Sequence, residues 1–244
     1  MHFHLPKPLH GWREFFGEVG IIVVGVLIAL GAEQVVETWH QSHEAEKSIA
    51  AVRYELAQFA GVFDERRLVQ TCLERRLRQL DIHLRSARRT GRLQDLGVIG
   101  RPPTRPLPVA AWEAALANGT AAHFEDQERN ALSTIYSVAP GYSAAVEEEG
   151  AMWATLRLLE NDAGTIDGPL LAELSTTLAR LRYRSWLNSV NAQQEFEAIL
   201  ALGIRPDYIL TNEVNNGTRE FLVASTRRRA ICAPLVVDGR PEGS

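Results

Sequence analysis

Residues 19–32 read Val-Gly-Ile-Ile-Val-Val-Gly-Val-Leu-Ile-Ala-Leu-Gly-Ala, with no charge and no proline. A helix that spans a bilayer wants roughly 20 consecutive apolar residues. Phe15, Phe16 and Gly17 lengthen the run on one side, and Val35 and Val36 on the other, so residues 15–36 are predicted to form a transmembrane anchor. Glu18 sits at one margin, Glu33 and Gln34 at the other. Trp12 lies one turn before Phe15 and Phe16, at the level of an interfacial aromatic belt. Two other readings compete. A cleaved secretory signal would use Lys7 and Arg13 as its basic region and Ala29-Leu30-Gly31 as its cleavage site. Against it, Glu18 stands where the charge should be basic, the run is rich in Val, Ile and Gly, and an amphipathic pattern follows at once. A buried core helix of a soluble protein also accommodates about 10–14 apolar residues. The anchor is the reading carried forward.

Charge sets the expected orientation. Lys7 and Arg13 precede the span, whereas Glu33, Glu37, Glu44 and Glu46 follow it before the first basic residue, Lys47. Counting Lys and Arg, the amino terminus stays in the cytoplasm. The rest of the chain is then expected outside, in the periplasm if the membrane is the inner membrane of a Gram-negative bacterium.

The segment Trp12-Arg13-Glu14-Phe15-Phe16-Gly17-Glu18, with Ile-Ile-Val-Val-Gly-Val-Leu-Ile-Ala-Leu after it, resembles the start of uncharacterised single-pass bacterial membrane proteins. In those a Gly-Glu pair opens a Val/Ile/Gly-rich span, followed by a Trp and a long helix, and Trp39 matches that Trp. The resemblance covers the first fifth of the chain. It implies an anchor and brings no catalytic residues with it.

With 244 residues, 45% of them hydrophobic, the chain can bury a sizeable core in one domain beside an anchor. A net charge of −4 gives no overall argument for nucleic acid. Cys72 and Cys232 fit no metal or redox spacing. In an oxidising compartment they can pair and tie the tail to the first long helix; otherwise they are two buried thiols. Asn118-Gly119-Thr120 and Asn216-Gly217-Thr218 match a glycosylation acceptor, but Asn-Gly is first a turn signal between helices.

Residues 1–14, with Pro6 and Pro8, are expected to be a disordered cytoplasmic stub; His2 and His4 could bind a metal as any His-x-His can, but a flexible terminus is the preferred reading. Residues 37–99 are assigned to a long amphipathic helix. Ile49, Val52, Leu56, Phe59 and Phe63 keep a 3–4 spacing, and Leu73, Leu77, Leu80 and Leu84 resume it in register. Arg66 and Gln70 occupy the seam between them, Gly61 suggests a kink, and Gly91 ends the pattern. Four prolines make residues 100–108 a loop. Residues 109–206 carry the remaining helices: 110–116, stopped by Asn118-Gly119; 126–138, stopped by Pro140-Gly141; 142–159, with Val146, Trp153 and Leu156 on one side; and a last helix from Asp167-Gly168-Pro169. That one has Leu171, Leu174, Leu178, Leu181, Trp186 and Val190 along its seam and is ended by Gly203 and Pro206. Residues 207–244 read as an irregular tail, with Leu222-Val223 and Leu235-Val236-Val237 as short strands or coil. The fold class is all-α: an amino-terminal transmembrane helix continuing into a long helix, with an extracytoplasmic antiparallel bundle built on two long helices.

Three groups invite a functional reading. At about 100° per residue, Glu18, Gly25, Ala29 and Ala32 fall on one narrow arc. Gly25 and Ala29 permit close helix contact, so this arc is a candidate transmembrane interface; the alternative is that Glu18 simply reaches the headgroup zone. Glu37, His40 and Glu44, with His43 adjacent, could face one another as a metal site, but no second Glu-x-x-His exists to complete a di-metal bundle. The first long helix carries Arg66, Arg67, Arg75, Arg76, Arg78, Arg85, Arg88, Arg89 and Arg92. Interspersed Glu65, Glu74 and Asp81 suit i, i+4 pairing on a solvated or partner-facing surface. No nucleophile elbow, phosphate loop or dinucleotide fingerprint is present, and Trp112, Trp153 and Trp186 read as packing aromatics. No catalytic residue, cofactor or nucleic-acid partner is expected. The chain reads as a non-enzymatic protein that meets the lipid bilayer and either another copy of itself or a partner membrane protein. A ligand-sensing bundle is the alternative, and an envelope enzyme with an unrecognised site ranks below it.

Overall fold

The computed structural model describes residues 12–161, 163–209 and 217–241, and within these the side chains of all but residues 12–15, 18, 35 and 41. The described chain is mostly helical, 75% helix and 5% strand. It divides into two units, Met1–Ser48 and Ile49–Ser244.

The first unit is the amino-terminal part of helix α1, which runs Trp12–Thr90. Ile21, Ile22, Val23, Val24, Val26, Leu27, Ile28 and Leu30 are each at least half exposed, on every side of the helix. This helix is long and apolar enough to cross a membrane.

The second unit is built on the remainder of α1, on α3 (Asp126–Leu156) and on α4 (Gly168–Ala201). α1 continues through Gly61 without a break, because Ala60 and Phe63 beside it are buried in the core. It stops at Thr90, where Gly91 was expected to end the pattern, and residues 91–99 of the segment assigned to it lie beyond the helix. Gly91 takes a left-handed φ of 66° and donates to the Ala87 carbonyl at 2.8 Å, the usual helix-ending device. The chain then turns into strand β1 (Arg92–Leu93), which pairs antiparallel with β2 (Gly164–Thr165).

α3 is one helix where two were expected. Pro140 lies inside it, exposed, while Leu132, Ile135, Tyr136, Ala139, Tyr142 and Val146 keep one buried face across the proline. The lost N–H is tolerated because packing on both sides holds the axis. α4 starts as expected: Asp167 caps it, accepting from the Leu170 N–H at 2.7 Å, with Pro169 in the first turn. It gives way at Leu202 to Gly203, with φ 72°.

The bundle has three long helices, not two, and they are not all antiparallel. Arg53 pairs with Glu128 and Arg66 with Glu149, so α1 and α3 ascend together. Arg67 meets Gln193 while the Leu77 carbonyl meets Arg182, so α4 runs against them. Parallel neighbours need a long return connection. Residues 91–125 supply it, through the proline-rich loop, the short helix α2 (Ala110–Ala117) and a 3₁₀ turn, Thr120–His123. The tail is more regular than expected: α5 spans Arg219–Arg227, capped by Thr218, and β3 (Val236–Val237) pairs with β4 (Arg240–Pro241).

The core falls into two apolar clusters. The first gathers Phe59, Phe63, Tyr136, Tyr142 and Phe196 with Trp112 and Phe124 from the crossover. The second gathers Leu73, Leu77, Leu80, Trp153, Leu156, Leu174, Leu178 and Leu181 with Leu96, Ile231 and Leu235. Trp186 belongs to neither; it is exposed beside Tyr183, because the buried face of α4 passes through Ser185 and Asn188 instead.

Candidate functional site

Between the two apolar clusters lies a layer of charge. It begins with four consecutive residues of α1, Asp64-Glu65-Arg66-Arg67, of which the first three are buried. An ion removed from water in this way needs a close opposite charge and further hydrogen bonds. Asp64, Glu65 and Arg66 each find an opposite charge on another element, and Asp64 pairs with Arg67 as well.

Arg66 points to α3 and α4. Its Nη1 is 3.0 Å from Glu149 Oε2 and its Nη2 is 3.0 Å from Glu149 Oε1, a two-pronged pair. Nη2 also donates to the Ser185 carbonyl at 2.9 Å. The Asn188 amide donates to Glu149 Oε2 at 2.8 Å and to the Ala145 carbonyl at 3.3 Å.

Asp64 faces the carboxy-terminal part. It accepts from Arg219 Nε at 2.7 Å, Arg67 Nη1 at 2.9 Å and the Tyr208 hydroxyl at 3.2 Å. Its bond to Arg219 is the main reason that guanidinium is held still more firmly protonated. Partial burial, with the Asp64 charge next to it, pushes the Tyr208 hydroxyl up to about 12. Arg67 also lies 4.4 Å over the Phe196 ring, a cation–π contact.

Glu65 closes the third side. Its Oε2 takes Arg105 Nε at 2.9 Å, and its Oε1 takes Arg105 Nη2 at 3.1 Å and Arg229 Nη2 at 2.5 Å. One buried carboxylate thus joins the crossover loop to the end of α5. Above it opens a cleft of about 530 Å³. Arg101 and Arg228 stand on its walls with Arg105 and Arg229, and Tyr208, Phe221 and Pro103 supply its apolar surface.

The walls are fixed from behind. Arg76, fully buried, donates to the carbonyls of Ala233 at 2.7 Å, Ala230 at 3.1 Å and Val98 at 3.4 Å. Cys72 and Cys232 are joined as a disulfide, with their Cα atoms 4.8 Å apart. Gly100, with φ 76°, packs so tightly that a Cβ there would lie 2.5 Å from the Ile231 backbone nitrogen. Arg66 and Arg76 therefore do not lie on a solvated arginine face; the apolar seam carries them inward, and their hydrogen-bond partners, Glu149, Ser185 and backbone carbonyls, make that burial tolerable.

The remaining residues singled out in the sequence lie elsewhere. The Glu18 side chain, Trp12, Arg13, Lys7, His2, His4 and Asn216 lie outside the described residues or side chains. Gly25, Ala29 and Ala32 are exposed, and a Cβ on Gly25 would meet nothing within 4 Å. Glu37, His40 and Glu44 are not brought together: the rings of His40 and His43 lie against Trp39, and among the described residues no three His, Cys, Asp or Glu side chains could hold a metal ion. Asn118 serves its own turn, its Oδ1 accepting from the Thr120 hydroxyl at 2.7 Å and N–H at 3.0 Å. No protein-family model, curated protein or solved structure matches the chain.

Proposed function

We propose that this is a single-pass membrane protein of the bacterial inner membrane, with its amino terminus in the cytoplasm and its helical bundle in the periplasm. There the bundle acts without catalysis, by holding a partner membrane protein or another copy of the chain. The observation that carries this reading is the exposure of large aliphatic side chains all around α1 between Ile21 and Leu30. A helix apolar on every face has no stable home in water and a ready one in lipid. Lys7 and Arg13 before the span and the acidic stretch after it favour this orientation. The Cys72–Cys232 disulfide supports it too, since such bonds persist in oxidising compartments.

Membrane fractionation with a carbonate wash, followed by protease on intact and on permeabilised cells, tests the assignment. The expected result is a chain that resists carbonate and whose bundle is cut from the periplasmic side. A chain released by carbonate, or a bundle cut only from the cytoplasm, would overturn it. In-cell crosslinking from the bundle then tests the partner: an adduct specific to the anchored chain is expected, and none at native expression would remove the binding role.

A further inference from the structure

We infer that the arginine-lined cleft over Glu65 is a binding site for an anion, a phosphate or carboxylate group carried on a partly apolar body. This goes beyond the membrane role and does not depend on it. Among the described residues, four arginines, Arg101, Arg105, Arg228 and Arg229, line the cleft with one carboxylate, Glu65. That carboxylate is shared by Arg105 and Arg229. Both side chains stay partly exposed, Arg105 at 20% and Arg229 at 30%, so Glu65 positions them without sealing them off.

Arg101 and Arg228 are exposed and have no acidic partner among the described residues; the Arg101 side chain reaches only the Thr104 hydroxyl, at 3.4 Å. Like charges gathered in a concave, low-dielectric wall focus a positive potential and raise the local concentration of anions. Guanidinium groups are suited to two-pronged contact with phosphate or carboxylate oxygens. The walls are already held by the Glu65 bridge, the carbonyl cage of Arg76, the disulfide and the close approach of Gly100 to Ile231. Little ordering is therefore left for a ligand to bring about. Phe221, Tyr208 and Pro103 beside the arginines provide surface for an apolar portion. The same headgroup chemistry is offered by a free organic anion and by an anionic lipid.

The test is calorimetric titration of the full chain in neutral detergent, with inorganic pyrophosphate as the free anion and short-chain phosphatidic acid as the lipid. Saturable binding that weakens with salt is expected. Arg101→Gln and Arg228→Gln should each weaken it about tenfold, the loss of one charge-assisted bond. Among the described residues neither arginine makes an ion pair, so the melting temperature should not move, and Arg88→Gln, on α1 away from the cleft, should bind as wild type. Binding of both probes assigns a free anion; binding of phosphatidic acid alone assigns a lipid headgroup. No saturable binding of either probe, or unchanged binding in the Arg101→Gln/Arg228→Gln double variant, would overturn the inference.

Discussion

Arg66 and Glu149 face each other between the two apolar clusters, both side chains at most 5% exposed, with two 3.0 Å contacts between guanidinium and carboxylate. The pair joins two helices that run in the same direction, so its register fixes how far α1 is advanced against α3. Removing one partner strands the other as a buried charge, which costs about 3–5 kcal/mol. Arg66→Met and Glu149→Met are each expected to destabilise the bundle by that amount in urea unfolding. The double variant should recover most of it, because two thioethers fill the space with no charge left. Additive losses in the double variant would show that the two side chains are not coupled.

The disulfide has a separate, larger lever arm. Cys72 and Cys232 are 160 residues apart in sequence, so the bond restricts most of the unfolded chain. Its loss is expected to cost about 2–5 kcal/mol. The Cys72→Ala/Cys232→Ala variant should still fold, because Arg76 independently binds the carbonyls of Ala230 and Ala233. Its melting temperature should be lower than that of the oxidised chain and insensitive to reductant. A wild-type melting temperature that reductant leaves unchanged would contradict this.

These two contacts also mark what the sequence could reveal. Helix ends were legible where a local device enforces them, a stop at Asn118-Gly119 and a start at Asp167-Gly168-Pro169, because capping is decided within a few residues. The break expected at Pro140 did not occur, since long-range burial of Tyr136 and Tyr142 overrode a local preference. The polar layer was half visible. Arg66 stands in an apolar seam of α1, Glu149 lies between Val146 and Trp153 at helical spacing, and Ser185 and Asn188 continue the seam of Leu174, Leu178 and Leu181. Each is a polar residue at a core position, and together they announce a buried network. What no spacing discloses is which helix answers which, because that depends on the parallel placement of α1 and α3. The cleft was invisible for the same reason: Arg105 and Arg229 meet at Glu65 only after the crossover and the tail have folded back.

Alkaline pH isolates the buried tyrosines Tyr136 and Tyr142 and the half-buried Tyr208. Burial is the first cause that holds the hydroxyls of Tyr136, Tyr142 and Tyr208 protonated beyond the usual tyrosine range, Tyr208 up to about 12. In the unfolded chain these groups release their protons near pH ~10. Above that pH the native state binds more protons than the unfolded state, so stability is full below about pH 10 and falls as pH rises toward about 12. Arginine does not titrate in this window, and the only lysines are Lys7 and Lys47. The urea midpoint is therefore expected to drop across this range, and Tyr208→Phe should make the drop shallower. A flat profile would contradict the assignment.

Gly25 offers the cleanest test of self-association within the membrane. In a single chain a side chain there meets nothing within 4 Å, so Gly25→Leu should leave the folded protomer intact. Ala29, one turn on, and Ala32 lie on the same arc and are likewise exposed. If two spans meet along this arc, Leu at position 25 pushes the backbones apart and removes the close packing that drives association in lipid. A membrane dimerisation reporter should then fall toward the level of a non-associating span. Val23→Leu, roughly 160° around the helix from Gly25, should leave it near wild type. Equal signals from the two variants would place any contact elsewhere on the helix and remove the arc from the interface.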